Sequence, residues 1–208
     1  MGSGAVNLVV MRHGESETNA ANVFTGLSDP PLSARGRDEA ARVARRLGVA
    51  GLVPDRIFCS PTIRAGETVA IVQEGLGSRD APVTAMPALH ERDYGALTGC
   101  NKDAAAAEFG AEQVRRWRRS YAETPPQGES LRNTAARVLA AYVHTILPAA
   151  MAGGTTLVVS HGNTLRALCM ALDGLTPAQV ESFHLLTGAT IRYMLSETTA
   201  VVGRSVLA

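Results

Sequence analysis

Short apolar runs alternate with longer amphipathic stretches along most of the chain. Residues 6–11 form an apolar run that predicts a buried strand, and residues 155–160 form a second one. Shorter runs predict three more strands, over 55–59, 82–85 and 190–195. Strands that alternate with helices are typical of a mainly parallel sheet covered on both faces. We therefore predict an α/β fold, a three-layer α/β/α sandwich.

The stretches between these strands carry apolar residues at helical spacing. Ser33 is a suitable N-cap for a first helix, which Gly48 is expected to end. The same spacing predicts three further helices, over 62–76, 129–147 and 163–173. Pro148 should stop the second of these three, because proline breaks the helical hydrogen-bond ladder. Residues 182–186 fit a short helix or strand, and residues 190–195 are expected to be the last strand.

Each of the two clearest strand predictions ends in a His-Gly pair. Arg12, His13 and Gly14 follow the first run, and His161 and Gly162 follow the second. The carboxyl ends of neighbouring parallel strands line one crevice, so we expect both imidazoles to face the same pocket. Imidazole is both a nucleophile and a proton carrier near neutral pH. The repeated pair therefore predicts a catalytic pocket.

The residues around these pairs favour an anionic ligand. Arg12 can hold an anion through two hydrogen bonds, and Gly14 lets backbone N–H groups approach a phosphate closely. Arg64 begins the helix after the second strand, where a helix N-terminus also attracts anions. The basic block at 115–119 fits a small polyanion better than nucleic acid, because the net charge is only +1 and aromatic residues make up 4%.

Residues 87–130 are polar and irregular, with short helical stretches near 102–108 and 111–120. We interpret this segment as an insertion over the sheet edge and the candidate pocket, because it offers no apolar core of its own. The whole chain, 1–208, should then form a single domain. Residues 1–4 resemble a remnant of cloning and are left out of the fold prediction.

Other kinds of site are less well supported. Glu91 is either part of a solvated loop or a general acid, and the second role needs burial or a nearby anion to raise its pKa. The remaining histidines, His90, His144 and His184, lack the spacing of zinc ligands, so we expect no metal. A Ser-His-Asp triad is conceivable, but the sequence has no G-x-S-x-G elbow.

The composition indicates the cellular location of the protein and whether it contacts a membrane. The three cysteines, Cys59, Cys100 and Cys169, lack C-x-x-C spacing, which favours reduced thiols and a cytoplasmic location. No apolar run reaches the roughly 18 residues of a membrane span, and no signal peptide is evident, so we expect no membrane partner. Lys102 is the only lysine among 20 basic residues; codon bias explains most of this, but a specific role for its ammonium group is also open.

The two histidine motifs, Arg-His-Gly-Glu-Ser and Ser-His-Gly-Asn, resemble the histidine phosphatase superfamily. Longer segments resemble one branch of it, the cofactor-dependent phosphoglycerate mutases, above all Glu-Arg-x-Tyr-Gly-Ala-Leu-Thr-Gly from Glu91 and Trp-Arg-Arg-Ser-Tyr from Trp117. The segments that carry the resemblance are 12–16, 24–26, 29–33, 91–102, 117–121, 128–131 and 160–163. The similarity extends from about residue 6 to residue 195.

This resemblance implies a role for each matching residue. His13 would carry the phosphoryl group, while Arg12, Arg64 and His161 would surround it and stabilise its charge. Glu91 would exchange the proton of the substrate hydroxyl. The residues implied to bind the substrate's phosphate and carboxylate are Arg12, Ser16, Asn19, Thr25, Gly26, Arg64, Glu91, Arg92, Tyr94, Lys102, Arg118, Arg119, Gly162 and Asn163.

The implied reaction interconverts 3-phosphoglycerate and 2-phosphoglycerate through a phosphohistidine that 2,3-bisphosphoglycerate primes, without a metal. The family also implies a homo-oligomer, a dimer or tetramer. Thr18 and Asp93 depart from residues common in the family, and the tail at 197–208 is small and apolar, not a lysine-rich strap over the pocket. A phosphatase with the same nucleophile and a catalytically silent binding module remain the alternatives.

Overall fold

The computed structural model describes residues 6–207, so the suspected remnant at 1–4 lies outside the described part. Within it, one sheet has six strands in the order β3-β2-β4-β1-β5-β6. Their bounds are β1 (Val6–Arg12), β2 (Arg56–Cys59), β3 (Val83–Ala85), β4 (Thr155–Ser160), β5 (Thr190–Leu195) and β6 (Val201–Val206). Strands β1 to β4 run parallel to one another, whereas β5 and β6 add to the edge as antiparallel strands.

Helices cover both faces of this sheet, which confirms the predicted α/β fold. The α-helices are α1 (Glu17–Ala20), α2 (Ala34–Val49), α3 (Ile63–Leu76), α4 (Lys102–Phe109), α5 (Ala111–Arg119), α6 (Leu131–Ala141), α7 (Leu147–Met151), α8 (Gly162–Leu172) and α9 (Pro177–Ser182). Two 3₁₀ turns occupy Pro87–Leu89 and Gly95–Leu97. Ser33 caps α2 as predicted, because its Oγ accepts a hydrogen bond from the Gly36 N–H at 3.1 Å.

Two large apolar clusters separate the layers. Alternate residues of β1 point to opposite faces, so Leu8 joins one cluster and Val9 joins the other. The first cluster packs against α6 and α8 through residues such as Val138 and Leu165. The second packs against α2 and α3 through residues such as Leu47. The central strands are thus buried on both faces, as expected for a parallel sheet between helices.

The segment 87–130 has more apolar packing than its sequence indicates. Phe24, from the loop between α1 and α2, packs with Leu97, Ala105 and Val114 into a small third cluster. The segment therefore buries apolar side chains in a cluster that it shares with the rest of the chain, and not in a core of its own. The contact with Phe24 is distant in sequence, and no local pattern reveals it.

Pro148 does not end the long helix, contrary to prediction. After α6 the chain continues through a π-helical turn, Tyr142–Ile146, into α7. The Leu147 N–H donates to the carbonyl of Tyr142, five residues earlier, and Pro148 lies in the first turn of α7. The wider π turn resets the hydrogen-bond ladder, so the missing N–H of proline is tolerated there.

Two predictions near the C-terminus were also wrong. Residues 183–186 belong to no helix or strand, and Ser182 is the last residue of α9, which begins after Thr176 with a capping box completed by Gln179. Strand β5 is not the last strand, because β6 follows it and pairs with it in antiparallel register. The strand was missed because most of its residues are exposed, so the alternation of apolar and polar positions is weak.

The loop that follows β1 crosses the first turn of α2 at very short range. A Cβ atom at Gly14 would overlap the carbonyl of Gly36, and one at Gly36 would overlap the carbonyl of Glu15. Only glycine at both positions allows the two backbones to meet in this way. The crossing fixes the loop that carries His13 against a rigid helix.

We expect the substitution Gly36→Ala to lower the free energy of unfolding by about 1–3 kcal/mol, because the new methyl group would displace the loop backbone. Gly66→Ala is the matched control, because the methyl group added to this helical glycine in α3 would have no atom within 4 Å. The control should gain about 0.5–1 kcal/mol. Urea unfolding measures the free energy of unfolding of both variants. Equal changes in Gly36→Ala and Gly66→Ala would contradict the close backbone crossing.

Candidate active site

The two predicted histidines lie side by side at the carboxyl edge of the sheet. Arg12 at the end of β1 pairs in register with Ser160 at the end of β4, so the next residue of each strand enters the same crevice. The ring centroids of His13 and His161 are 5.0 Å apart, with an interplanar angle of 67°. Both rings are buried. The sequence prediction that these two imidazoles converge is confirmed.

The tautomer of His13 follows from its hydrogen bond. Its Nδ1 lies 2.6 Å from the carbonyl oxygen of Gly14. A carbonyl oxygen can only accept, so Nδ1 carries the proton of the neutral ring. The lone pair is then on Nε2, which is the atom available as a nucleophile.

Burial and neighbouring positive charges keep both rings uncharged. The pKa of His13 lies well below its usual value, first because the ring is buried and then because of the charges of Arg12 and Arg64. The pKa of His161 is lowered well below the usual value by burial and then by His13 and the same two arginines. At neutral pH the Nε2 lone pair of His13 is therefore not protonated.

Several buried polar atoms beside these rings are unpaired within residues 6–207. They are the Nε atoms of Arg12 and Arg64 and both ring nitrogens of His161. The other side of each guanidinium is anchored, because Nη1 of Arg12 donates to the Leu185 carbonyl at 2.7 Å and Nη1 of Arg64 donates to the Ser28 carbonyl at 2.9 Å. A buried unpaired donor costs about 1–3 kcal/mol, and an oxyanion with several acceptor oxygens would pair the donors of this set.

Glu91 lies at the same site and not in a solvated loop, since only 8% of its surface is exposed. Its Oε1 accepts hydrogen bonds from the backbone N–H groups of Arg92 at 2.8 Å and Asn163 at 3.2 Å. Asn163 is in the first turn of α8, directly after His161 and Gly162. The carboxylate is thus held at a helix N-terminus beside the second imidazole.

A cavity of about 180 Å³ opens above these groups. The predicted residues that line it are Arg12, Asn19, Thr25, Gly26, Glu91, Tyr94, Lys102, Arg118, Arg119, Gly162 and Asn163. Burial and the charge of Arg118 lower the pKa of Lys102, and the same two causes lower the pKa of Arg119. The crowding of cations is chemically suited to a ligand with more than one negative charge.

Five predicted residues do not line the cavity. His13, His161 and Arg64 are buried. Ser16 is also buried, and its Oγ accepts from the Asn19 N–H at 3.3 Å to cap α1. Arg92 stacks 4.6 Å from the centre of the Tyr94 ring, and its Nε and Nη1 lack partners among the described residues.

The cavity wall also contains residues that the sequence analysis missed: Val23, Phe24, Arg166, His184, Leu185 and Leu186. Arg166 stands four residues after Gly162 on α8, so helical spacing could have indicated it. Its Nη1 donates to the Asn163 side chain at 2.9 Å, and burial with the charge of Arg119 lowers its pKa to about 10. His184 and its neighbours belong to a loop with no local signal.

Metal ligands and membrane-spanning helices are both absent from the described residues. Nowhere in 6–207 do three His, Cys, Asp or Glu side chains come together in a group that could hold a metal ion. The same part of the chain has no helix long and apolar enough to cross a membrane.

The chain belongs to the histidine phosphatase superfamily (branch 1), whose family model matches residues 8–204. Its sequence is 51% identical over 200 residues to a 2,3-bisphosphoglycerate-dependent phosphoglycerate mutase of Methylobacterium radiotolerans, covering 96% of this chain and 94% of that protein. It is 48% identical over 200 residues to the protein of the same name from Beijerinckia indica, covering 96% of this chain and 97% of that protein.

Solved structures share the fold. Bacillus stearothermophilus YhfR has a TM-score of 0.82 at 26% identity, covering 94% of this chain and 95% of that one. A mycobacterial glucosyl-3-phosphoglycerate phosphatase also has a TM-score of 0.82, with 97% of each chain covered; at 24% identity it supports the fold alone.

The lowered pKa values of His13 and His161 make stability depend on pH. The unfolded chain binds protons at these rings near pH 6.5, and the folded chain binds them only at lower pH. Their contribution is therefore intact above about pH 6.5 and is lost as the pH falls toward the folded-state pKa. In phosphate-free buffer, we expect His161→Gln to reduce the acid slope of the unfolding free energy by up to about 1.4 kcal/mol per pH unit.

Urea unfolding between pH 7.5 and 5 measures this slope. The control His144→Gln replaces an exposed imidazole on the π-helical turn and should keep the wild-type pH dependence. If the unfolding free energy of His161→Gln falls with pH as steeply as that of the wild type, the buried ring does not have the lowered pKa.

Proposed function

We propose that this protein interconverts 3-phosphoglycerate and 2-phosphoglycerate through a phosphohistidine at His13. The observation that carries the proposal is the pair of uncharged imidazoles among unpaired buried donors, at the base of a cationic cavity. The names of the mutase relatives, at 48–51% identity over nearly the whole chain, support it. The chemistry of the site fits a phosphoryl group in the crevice and further negative charge in the cavity.

His13 acts as the nucleophile through Nε2. As the N–P bond forms there, the P–O bond of the phosphoryl donor breaks. Arg12 and Arg64 offer their free Nε–H groups to the oxygens in transfer, and His161 offers a ring N–H. Charge stabilisation of this kind is the main requirement of phosphoryl transfer.

Glu91 acts as general acid and general base toward the reacting hydroxyl. Its carboxyl group protonates the leaving oxygen when the phosphoryl group moves to His13, and its carboxylate takes the proton from the hydroxyl that attacks in return. When bound, 2,3-bisphosphoglycerate supplies the phosphoryl group that primes His13.

The cavity residues bind and orient the rest of the substrate. Ser16 acts indirectly in this proposal, because its hydroxyl orders the turn that presents Asn19. The residues that line the cavity and would contact phosphate and carboxylate are Asn19, Thr25, Gly26, Tyr94, Lys102, Arg118, Arg119, Gly162 and Asn163. Arg92 does not line the cavity; it stacks on the Tyr94 ring and would contribute its Nε and Nη1, which lack partners among the described residues. We also propose, on the resemblance to the family, a single-domain, cytoplasmic enzyme that forms a dimer or tetramer.

The direct test is conversion of 3-phosphoglycerate with and without catalytic amounts of 2,3-bisphosphoglycerate. We expect conversion to depend on the primer, to release little inorganic phosphate and to be unaffected by EDTA. Phosphate release without formation of 2-phosphoglycerate would instead identify a phosphatase.

One observation favours some phosphatase activity beside the mutase reaction. Residues 201–206 pair with β5 as an edge strand, so this part of the tail is used in the sheet and not as a cover for the cavity. Water can therefore reach the phosphohistidine more readily than in a closed site.

We accordingly expect slow but measurable hydrolysis of 2,3-bisphosphoglycerate, seen as phosphate release over many turnovers. His13→Ala provides the blank. Full mutase activity with no hydrolysis above that blank would contradict the open-site explanation.

A further inference from the structure

The segment that carries Glu91 has little regular structure to hold it. Residues 90–94 lie between the 3₁₀ turns Pro87–Leu89 and Gly95–Leu97. The Ser160 hydroxyl at the end of β4 donates to the Leu89 carbonyl at 2.7 Å, and the Thr164 hydroxyl on α8 donates to the His90 carbonyl at 2.6 Å. The Arg92 guanidinium donates to the carbonyls of Trp117 and Arg118 on α5, and further support comes from the side of α6.

Arg137, on α6, supplies that support with its guanidinium group. Nη1 donates to the carbonyls of Ala88 at 2.7 Å and His90 at 2.9 Å, and Nη2 donates to the carbonyl of Glu91 at 3.2 Å. Three carbonyls within four residues thus converge on one rigid, planar group.

Glu129 completes the arrangement. Its two oxygens accept from Nε and Nη2 of Arg137, both at 2.9 Å, so all five N–H groups of this arginine are used. Glu129 also accepts from the Asp93 N–H at 3.3 Å, and its own N–H donates to the Asp93 carbonyl at 2.9 Å. Burial alone would raise the pKa of Glu129, but its bonds to Arg137 lower it, so the carboxylate stays charged.

Neither residue lines the cavity that the substrate would occupy. Their bonds instead hold the backbone on both sides of the Glu91 side chain, from residue 88 to residue 93. The position of a catalytic group matters steeply, since a displacement of about 1 Å can lower a rate roughly 100-fold.

We infer that Arg137 and Glu129 are positioning residues that hold the Glu91 carboxyl group in reach of the reacting hydroxyl. This inference rests on the proposed function, because it needs Glu91 as the proton donor and acceptor. It predicts a defect confined to steps in which a proton must move.

Two phosphoryl donors separate that defect from a general loss of structure. Transfer from 2,3-bisphosphoglycerate to His13 expels an alkoxide that needs a proton, whereas p-nitrophenyl phosphate releases a phenolate that leaves without one. We expect Arg137→Met to slow the first reaction at least 10-fold and the second less than 3-fold, with KM nearly unchanged. Glu91→Gln should show the same selectivity, more strongly.

Arg132→Met is the matched control, because Arg132 is exposed on the same helix and its side chain makes no hydrogen bond within the described residues. It should behave as wild type with both donors. If circular dichroism shows that Arg137→Met folds poorly, Glu129→Gln is the second variant. It keeps the shape of the Arg137–Glu129 pair but removes the negative charge, and it should slow transfer from 2,3-bisphosphoglycerate more than transfer from p-nitrophenyl phosphate, to a smaller degree.

Equal slowing with both donors, or no slowing with either, in a folded variant would overturn the positioning role. Failure of the proposed function would look different, because the wild-type protein itself would then not accept a phosphoryl group from 2,3-bisphosphoglycerate.

Discussion

The site depends on the burial of two uncharged imidazoles beside guanidinium Nε–H groups that have no partner among residues 6–207. His13 and His161 follow adjacent parallel strands, so the register of β1 against β4 determines that they meet. Each unpaired donor beside them is unfavourable by about 1–3 kcal/mol, and the two apolar clusters of the sandwich must outweigh that cost. A tetrahedral oxyanion is the simplest ligand that satisfies these donors together.

The same positive charges serve two purposes in this arrangement. Without a ligand, burial and then the charges of Arg12 and Arg64 lower the pKa of His13 and so keep its Nε2 lone pair free. With a phosphoryl group present, they lie where negative charge collects in transfer. Carbonyl acceptors at Leu185 and Ser28 hold them in place beforehand, so the protein need not reorganise when the reaction begins.

The sequence predicted the parts of the fold that have strong local patterns. The apolar runs of β1 and β4 and the His-Gly pairs after them were sufficient to expect one crevice, and the Ser33 cap marked α2 correctly. Strand β6 was not predicted because most of its residues are exposed and its apolar and polar positions do not alternate. The prediction that Pro148 ends the long helix was wrong because a π-helical turn accommodates the proline. The Phe24 cluster and the Leu185 carbonyl depend on contacts between distant residues, which no local pattern encodes. Arg166 could have been predicted as a cavity residue, because it lies one helical turn after Gly162 on α8.

Phosphorus NMR of the protein incubated with 2,3-bisphosphoglycerate tests the central claim most directly. A nucleophilic Nε2 on His13 predicts a phosphoramidate resonance in the wild-type protein that is absent from His13→Asn. No such resonance in the wild type would favour a silent binding module on this fold, and a resonance that persists in His13→Asn would place the nucleophile elsewhere.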